Sequence, residues 1–229
     1  MSEPKLTKKS FSMLRALKAN NNREWFKERK EEFAERVQDP FLAIMEEASL
    51  RMKKCHFPMT GTKRTMFRIY RDVRFSKDKS PYREHISGLL SPSGEKYQDL
   101  GQMYLHLDTD GGFIACGFYR LEPDMLNRIR DAIIEDDKEF DKIRKRLAKK
   151  GFDFFDMGVL KRMPRGYQEY SEHMHADVLK RKSLIMFKRQ TKQAWLDGSI
   201  VDEIVAVNKA TADFFAFGMF ALDGHKLLA

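Results

Sequence analysis

Residues 101–120, GQMYLHLDTDGGFIACGFYR, constrain the fold more tightly than any other stretch of the chain. Two apolar runs with a period of two flank Asp110, Gly111 and Gly112. A period of two puts alternate side chains on one face of an extended strand, and glycine accepts the positive φ that tight turns require. The run therefore predicts a β-hairpin. With further strands predicted at 65–75 and 85–90, the middle of the chain reads as a mostly antiparallel sheet.

On either side the period lengthens to that of a helix. Ser10 is placed to cap a turn carrying Phe11, Leu14 and Leu17. In NNNREWFKERKEEFAERV, residues 20–37, Asn21 followed by Glu24 resembles a capping box, and Phe26, Phe33 and Val37 continue an apolar stripe. Asp39 and Pro40 interrupt that stripe and open a further helix over about 40–54, because proline suits a first helical turn. Downstream, Pro123 opens a helix with Leu126, Ile129 and Ile133 on one face. A second begins near Asp137 with Phe140, Ile143 and Leu147, and Gly151 is its terminator. SLIMFKRQ, residues 183–190, reads as one more strand, and Ser199 is placed to cap a last helix running into DFFAFGMF.

No repeat, low-complexity tract or Gly/Pro/Ser-rich linker divides the 229 residues, so one domain over 1–229 is expected. A hydrophobic fraction of 42% with 18 phenylalanines can fill its core. Helices, then a meander, then helices around a late strand give an α+β class: a single domain with a mostly antiparallel sheet and flanking helices. A doubly wound parallel sheet would require regular strand and helix alternation, which the sequence lacks.

Lysine and arginine number 43 against 34 acidic residues, a formal +9 that biases the surface toward anionic partners, whether a small anionic molecule or nucleic acid. Cys55 and Cys116 match no disulfide framework or zinc spacing. The N-terminal stretch has no apolar signal core, and no run approaches the roughly 20 apolar residues of a membrane span. These features fit a soluble, cytoplasmic protein away from membranes. Cofactor motifs are missing from the sequence, and nothing in it sets an oligomeric state.

The densest chemistry is in FRIYRDVRFSKDKSPYREH, residues 67–85, with four arginines, two lysines, two aspartates, two tyrosines and a histidine. Read as a strand, it sets Arg71 within an apolar stripe of Phe67, Ile69, Val73 and Phe75, while Arg68, Tyr70, Asp72 and Arg74 point away. A buried guanidinium keeps its proton, so Arg71 must meet a carboxylate or a bound anion. SKDKSPY then reads as a loop carrying Lys77, Lys79 and Tyr82 beside the strand. Two readings stand side by side. Arg68, Arg71, Arg74, Lys79 and Tyr82 form an anion site, or Asp72 and Asp78 consume the cations in a buttressing network. LKRMPRGY, residues 160–167, adds Lys161, Arg162 and Arg165 on a rigid turn that faces the same anion or is a solvated loop.

Other constellations are weaker. His173 and His175 offer two metal ligands with no third at a recognisable spacing, so no metal site is assigned, and His56, His85, His106 and His225 are scattered singles. For an enzyme, Asp72 or His85 would be the base, Tyr82 the acid, and the cations the stabilisers of negative charge; no nucleophile elbow, phosphate loop or dinucleotide fingerprint accompanies them. The run KIRKRLAKK, residues 142–150, reads as a solvated helix face; nucleic-acid binding would need it continuous with the other basic segments and supplied with exposed aromatics.

RIYRDVRFSKDKSPYREH, together with NNREWF at 21–26 and LKRMPRGY, resembles the domain of unknown function 2461 family over most of the chain. The family motif maps onto Arg68, Arg71, Asp72, Arg74, Phe75, Asp78, Lys79 and Tyr82. The resemblance implies a single-domain α+β fold and no particular activity.

Overall fold

The computed structural model describes residues 3–223; His225 lies outside the described residues. Helices α1 (Lys8–Ala19), α2 (Arg23–Phe33) and α3 (Asp39–Met52) precede strands β1 (Ile86–Leu90), β2 (Gly101–Leu107) and β3 (Phe113–Phe118). Next come α4 (Pro123–Glu135), α5 (Asp137–Lys149), β4 (Asp153–Phe154), α6 (Ala176–Leu179), β5 (Leu184–Arg189), α7 (Lys192–Asp197), α8 (Ile200–Ala210) and α9 (Ala212–Asp223). The strands form one antiparallel sheet in the order β1-β2-β3-β5-β4. The fold is α+β, and the 101–120 hairpin is β2 and β3. Among the described residues no single helix is long and apolar enough to cross a membrane.

The hairpin turn shows why glycine stands there. Gly111 and Gly112 have φ of 119° and 87°, and a Cβ on Gly112 would lie 2.0 Å from the His106 carbonyl.

Several local readings are corrected. The cap of α1 is Thr7, whose Oγ1 accepts from the Ser10 N–H at 3.3 Å; Ser10 is the reciprocal partner three residues on. The cap of α2 is Asn22, accepting from the Trp25 N–H at 2.9 Å. Asp39 and Pro40 do not break the helical path. Residues Ala34–Gln38 make a π turn in which the Asp39 N–H bonds to the Ala34 carbonyl, so the ladder shifts register just where proline cannot donate. Ser199 directly precedes α8, its carbonyl accepting from the Glu203 N–H at 2.9 Å while its hydroxyl donates to the Asp197 carboxylate at 2.7 Å. No strand forms over 65–75; only the isolated bridges Met66↔Gly88 and Tyr70↔Tyr82 pair that segment.

The chain gathers into two compact units. In the first (described residues within 3–99, 103–114 and 189–209), Phe11, Leu14 and Leu17 of α1, Phe33, and Phe41, Ile44 and Met45 of α3 are fully buried. Trp195 stacks on Phe41 at 5.8 Å, and its Nε1–H donates to the Gly111 carbonyl at 2.7 Å, which fixes the hairpin turn. Gly88 of β1 faces Met45, and a Cβ there would meet the thioether at 2.6 Å. In the second unit (described residues within 100–102, 115–188 and 210–223), α4 and α5 bury Leu126, Ile129, Ile133, Phe140, Ile143 and Leu147, and Gly218 of α9 lets Phe118 approach closely.

Candidate functional site

The charged stretch belongs to the first unit. It runs out and back as a loop clasped at its base: the Arg71 N–H donates to the Pro81 carbonyl at 2.9 Å, and the Arg83 N–H to that of Ile69 at 2.7 Å. This is a compact loop with close ends rather than a strand. The alternation of burial persists from Phe67 to Arg74, with Ile69 buried and Arg71 and Val73 half-buried between exposed neighbours, and fails at Phe75, assigned to the same stripe but 95% exposed.

Inside the loop the cations meet partners of their own. Arg71 is ion-paired to Asp78, whose carboxylate also accepts from the Ser80 N–H at 2.9 Å and hydroxyl at 2.6 Å. The Ser80 hydroxyl and Arg71 together hold the Asp78 carboxyl well below the usual carboxylate range. Arg74 forks onto Asp72, with Nε to Oδ1 at 3.0 Å and Nη2 to Oδ2 at 2.7 Å, and this lowers the Asp72 carboxyl to about 2. Lys79 donates to the Val73 carbonyl at 3.0 Å. Arg68 and Lys77 are exposed and have no ion-pair partner among the described residues. Phe75 stands free of this frame, with the Arg74 guanidinium 5.8 Å from its ring centroid.

Tyr82 is 4% exposed; its ring lies 4.2 Å from that of Phe26, and burial pushes its phenol up. Asp72 is thus a weak base and Tyr82 a weak acid. Tyr82 is instead one corner of an aromatic triangle: Tyr70, 54% exposed, lies 5.3 Å from it and 6.4 Å from Phe26.

Beside that triangle runs a groove of about 410 Å³. One wall is α2, which sets Arg23, Phe26, Lys27 and Lys30 on a single face at i, i+3, i+4 and i+7; the other is the loop, with Tyr70, Arg71 and Tyr82. No carboxylate residue lines it. Among the described residues Arg23, Lys27 and Lys30 have no ion-pair partner, while their successive i, i+4 and i, i+3 spacings set like charges against one another. The structure thus brings Arg71 and Tyr82 together with three cations of α2 that the motif reading did not include. Their signal was legible in REWFKERK, where the 23, 27, 30 spacing marks one helical face.

Lys161, Arg162 and Arg165 belong to the second unit. They are exposed on a turn in which Gly166 has φ of 90° and the Tyr167 N–H donates to the Pro164 carbonyl at 3.1 Å. None of the three has an ion-pair partner among the described residues. The 142–150 run is largely paired: Lys142 to Glu139, Arg144 to Asp177, Lys145 to Asp141 and Arg146 to Asp213. His175 is buried, with Nε2 donating to the Asp137 carbonyl at 3.1 Å, and His173 Nδ1 accepts from the His175 N–H at 3.1 Å. That dipeptide spacing serves a turn. Among the described residues no three His, Cys, Asp or Glu side chains converge as a metal ion would require.

Searches of curated proteins and of solved structures found no match. A family model described as conserved hypothetical protein (DUF2461) matches residues 9–217, so it spans the loop, the groove and the 160–167 turn alike. The chain belongs to the DUF2461 family.

Proposed function

We propose that this protein binds a small anionic ligand, a phosphate or carboxylate compound, in the groove between α2 and the 71–81 loop. The observation that carries the reading is the wall of Arg23, Lys27 and Lys30, cationic and without carboxylate partners, facing Arg71 across a groove with an aromatic side. Like charges held on one helical face repel, and an anion between them removes that repulsion while gaining charge-assisted hydrogen bonds. Arg74, Lys79 and Asp72 act as the frame of the loop, since each is engaged within it. The salt-bridge network and the anion site are then two parts of one device: Asp78 and Ser80 aim Arg71, and α2 supplies the free charge.

Calorimetry with inorganic phosphate, citrate and phosphorylated metabolites tests this. Binding is expected to weaken by at least about tenfold in Lys27→Gln/Lys30→Gln, because each lost charge-assisted bond is worth roughly 1.5–3 kcal/mol. Retention of wild-type affinity in that variant would refute the assignment.

A second reading rests on a different observation. Phe75 at 95% exposure and Tyr97 at 69% supply π faces, and Arg68, Arg74 and Lys77 are basic neighbours of Phe75 in sequence. Exposed aromatics with basic neighbours suit single-stranded nucleic acid, whose bases stack on them. That reading expects affinity to fall steeply with salt and to drop in Phe75→Ala; no mobility shift at low salt would remove it.

A further inference from the structure

The α2 groove is larger than its charges require. A phosphate ion fills only a small part of about 410 Å³, a volume within the range of roughly 300–1,000 Å³ that takes drug-sized ligands. Beside the cations its lining is apolar and aromatic: Phe26, Tyr70, Val73, Pro81 and Tyr82. The three rings differ in what they have left to offer. Phe26 and Tyr82 are 3% and 4% exposed, with ring centroids 4.2 Å apart, so their surface is spent on packing. Tyr70 packs on both, at 6.4 and 5.3 Å, yet remains 54% exposed. Its backbone is bridged to that of Tyr82, and the N–H groups of Arg71 and Arg83 close the loop base on Pro81 and Ile69. Tyr70 is thus an aromatic platform positioned before any ligand arrives, which lowers the ordering cost of stacking on it.

We infer that the groove takes a free nucleotide, its base on Tyr70 and its phosphate among Lys27, Lys30 and Arg71. This rests on the anion reading of the same groove and adds the ring to it. The lining side chains include neither a carboxylate nor an amide. A carboxylate is the usual acceptor for ribose hydroxyls, and amides and carboxylates are the side chains that read the amino groups of a base. Charge and stacking therefore carry the recognition, and every base has a π face. The expected ligand is a nucleoside phosphate chosen with little regard to the sugar's 2′-hydroxyl.

Calorimetry on the full chain, comparing AMP with ribose 5-phosphate, tests this, because the two carry the same phosphate and only one carries a base. AMP is expected to bind at least about fivefold more tightly, the lower end of what stacking one base on an aromatic side chain gives. Deoxy-AMP should match AMP within about twofold, since no lining carboxylate meets the 2′-hydroxyl. Tyr70→Leu is chosen to keep apolar contact with Phe26 and Tyr82 while losing the π face. It should bring AMP down to the ribose 5-phosphate affinity and leave ribose 5-phosphate unchanged, whereas Tyr70→Phe should keep the AMP advantage. Lys27→Gln/Lys30→Gln should weaken both ligands together. Equal affinities in the parent, or an AMP advantage that survives Tyr70→Leu, would overturn the inference and leave the anion groove standing. Displacement of AMP by single-stranded oligo-dA without a terminal phosphate would also overturn it, by placing the stacked base in a strand. Binding of neither ligand, or binding that Lys27→Gln/Lys30→Gln leaves untouched, would remove the anion reading and this inference with it.

Discussion

The Asn21 side chain brackets the backbone of Tyr82, with Nδ2–H donating to its carbonyl at 2.9 Å and Oδ1 accepting from its N–H at 3.0 Å. One amide thereby satisfies both polar groups of a residue 61 positions away and ties the turn before α2 to the base of the charged loop. No other uncharged side chain except glutamine offers a donor and an acceptor in that fork. Asn21→Ala is expected to cost about 1–3 kcal/mol in urea unfolding, and Asn21→Asp should not rescue it at neutral pH, since it sets a carboxylate against the Tyr82 carbonyl. An unchanged midpoint in both variants would refute the clasp.

The loop frame should be local. Arg71–Asp78 and Arg74–Asp72 are largely exposed pairs, and such pairs add little to global stability. Arg71→Ala is therefore expected to leave the unfolding midpoint nearly unchanged, yet to raise hydrogen exchange at the Arg71 and Ser80 amides, which close the base and the Asp78 turn. A large drop in the midpoint would mean that Arg71 serves the core, as a strand over 65–75 would have required.

That contrast marks where the fold was legible. The 101–120 hairpin and the stripes Leu126/Ile129/Ile133 and Phe140/Ile143/Leu147 rest on local turn chemistry and a single period, so they read directly from sequence. Residues 65–75 alternate as a strand does, but a strand also needs a partner throughout its length. Here the chain meets β1 only near Met66 and then turns back on itself at Tyr70, a long-range fact that alternation does not encode. The same holds for the candidate site. Charge density pointed to the loop, but the loop's own aspartates absorb much of that charge, and the unpaired cations that line the groove sit on α2, where helical spacing rather than density was the signal.

Gly218 of α9 is a contact glycine. A Cβ there would lie 2.2 Å from the Phe118 ring, which is fully buried and also in contact with Phe214 and Phe215. Alanine has the better helix propensity by roughly 1 kcal/mol, so an exposed glycine would gain from the change. Here overpacking outweighs that gain, and Gly218→Ala is expected to lose about 1–3 kcal/mol, read as a lower Tm. Gly218→Ala combined with Phe118→Leu should recover part of the loss, because the shorter side chain vacates the contact.

Arg130 is the most deeply buried guanidinium of the molecule's described residues at 6% exposure, and it is held without a salt bridge. Its Nε and Nη2 donate to the carbonyls of Leu179 and Arg181 at 2.9 and 3.0 Å, and Nη1 to Asn127 Oδ1 at 2.8 Å. The carbonyls at and just after the end of α6 thus do the work a carboxylate would do elsewhere. Arg130→Met keeps the volume but strands three acceptors, so a loss of about 3 kcal/mol or more is expected. Arg130→Lys should recover only part of it, as an ammonium lacks the planar fork. Equal stability of the methionine variant and the parent would show that the carbonyls find other donors.

The adjacent pair His85 and His106, ring centroids 4.2 Å apart, gives the protein an acid sensitivity of definite sign. Burial, then His106 and Arg83, hold His85 down to about 4, and burial lowers His106 as well. The unfolded chain binds a proton at His85 near the ordinary value of 6.5. Between those values the unfolded state carries more protons than the folded one, so stability is fully present above about 6.5 and is lost as pH falls toward 4. His85 contributes on the order of 2 kcal/mol to that slope. Urea midpoints measured at pH 7.5 and pH 4.5 should differ markedly in the parent and much less in His85→Gln, which keeps polarity without a titrating ring. A slope unchanged by His85→Gln would place the acid sensitivity on His106 or on the carboxylates.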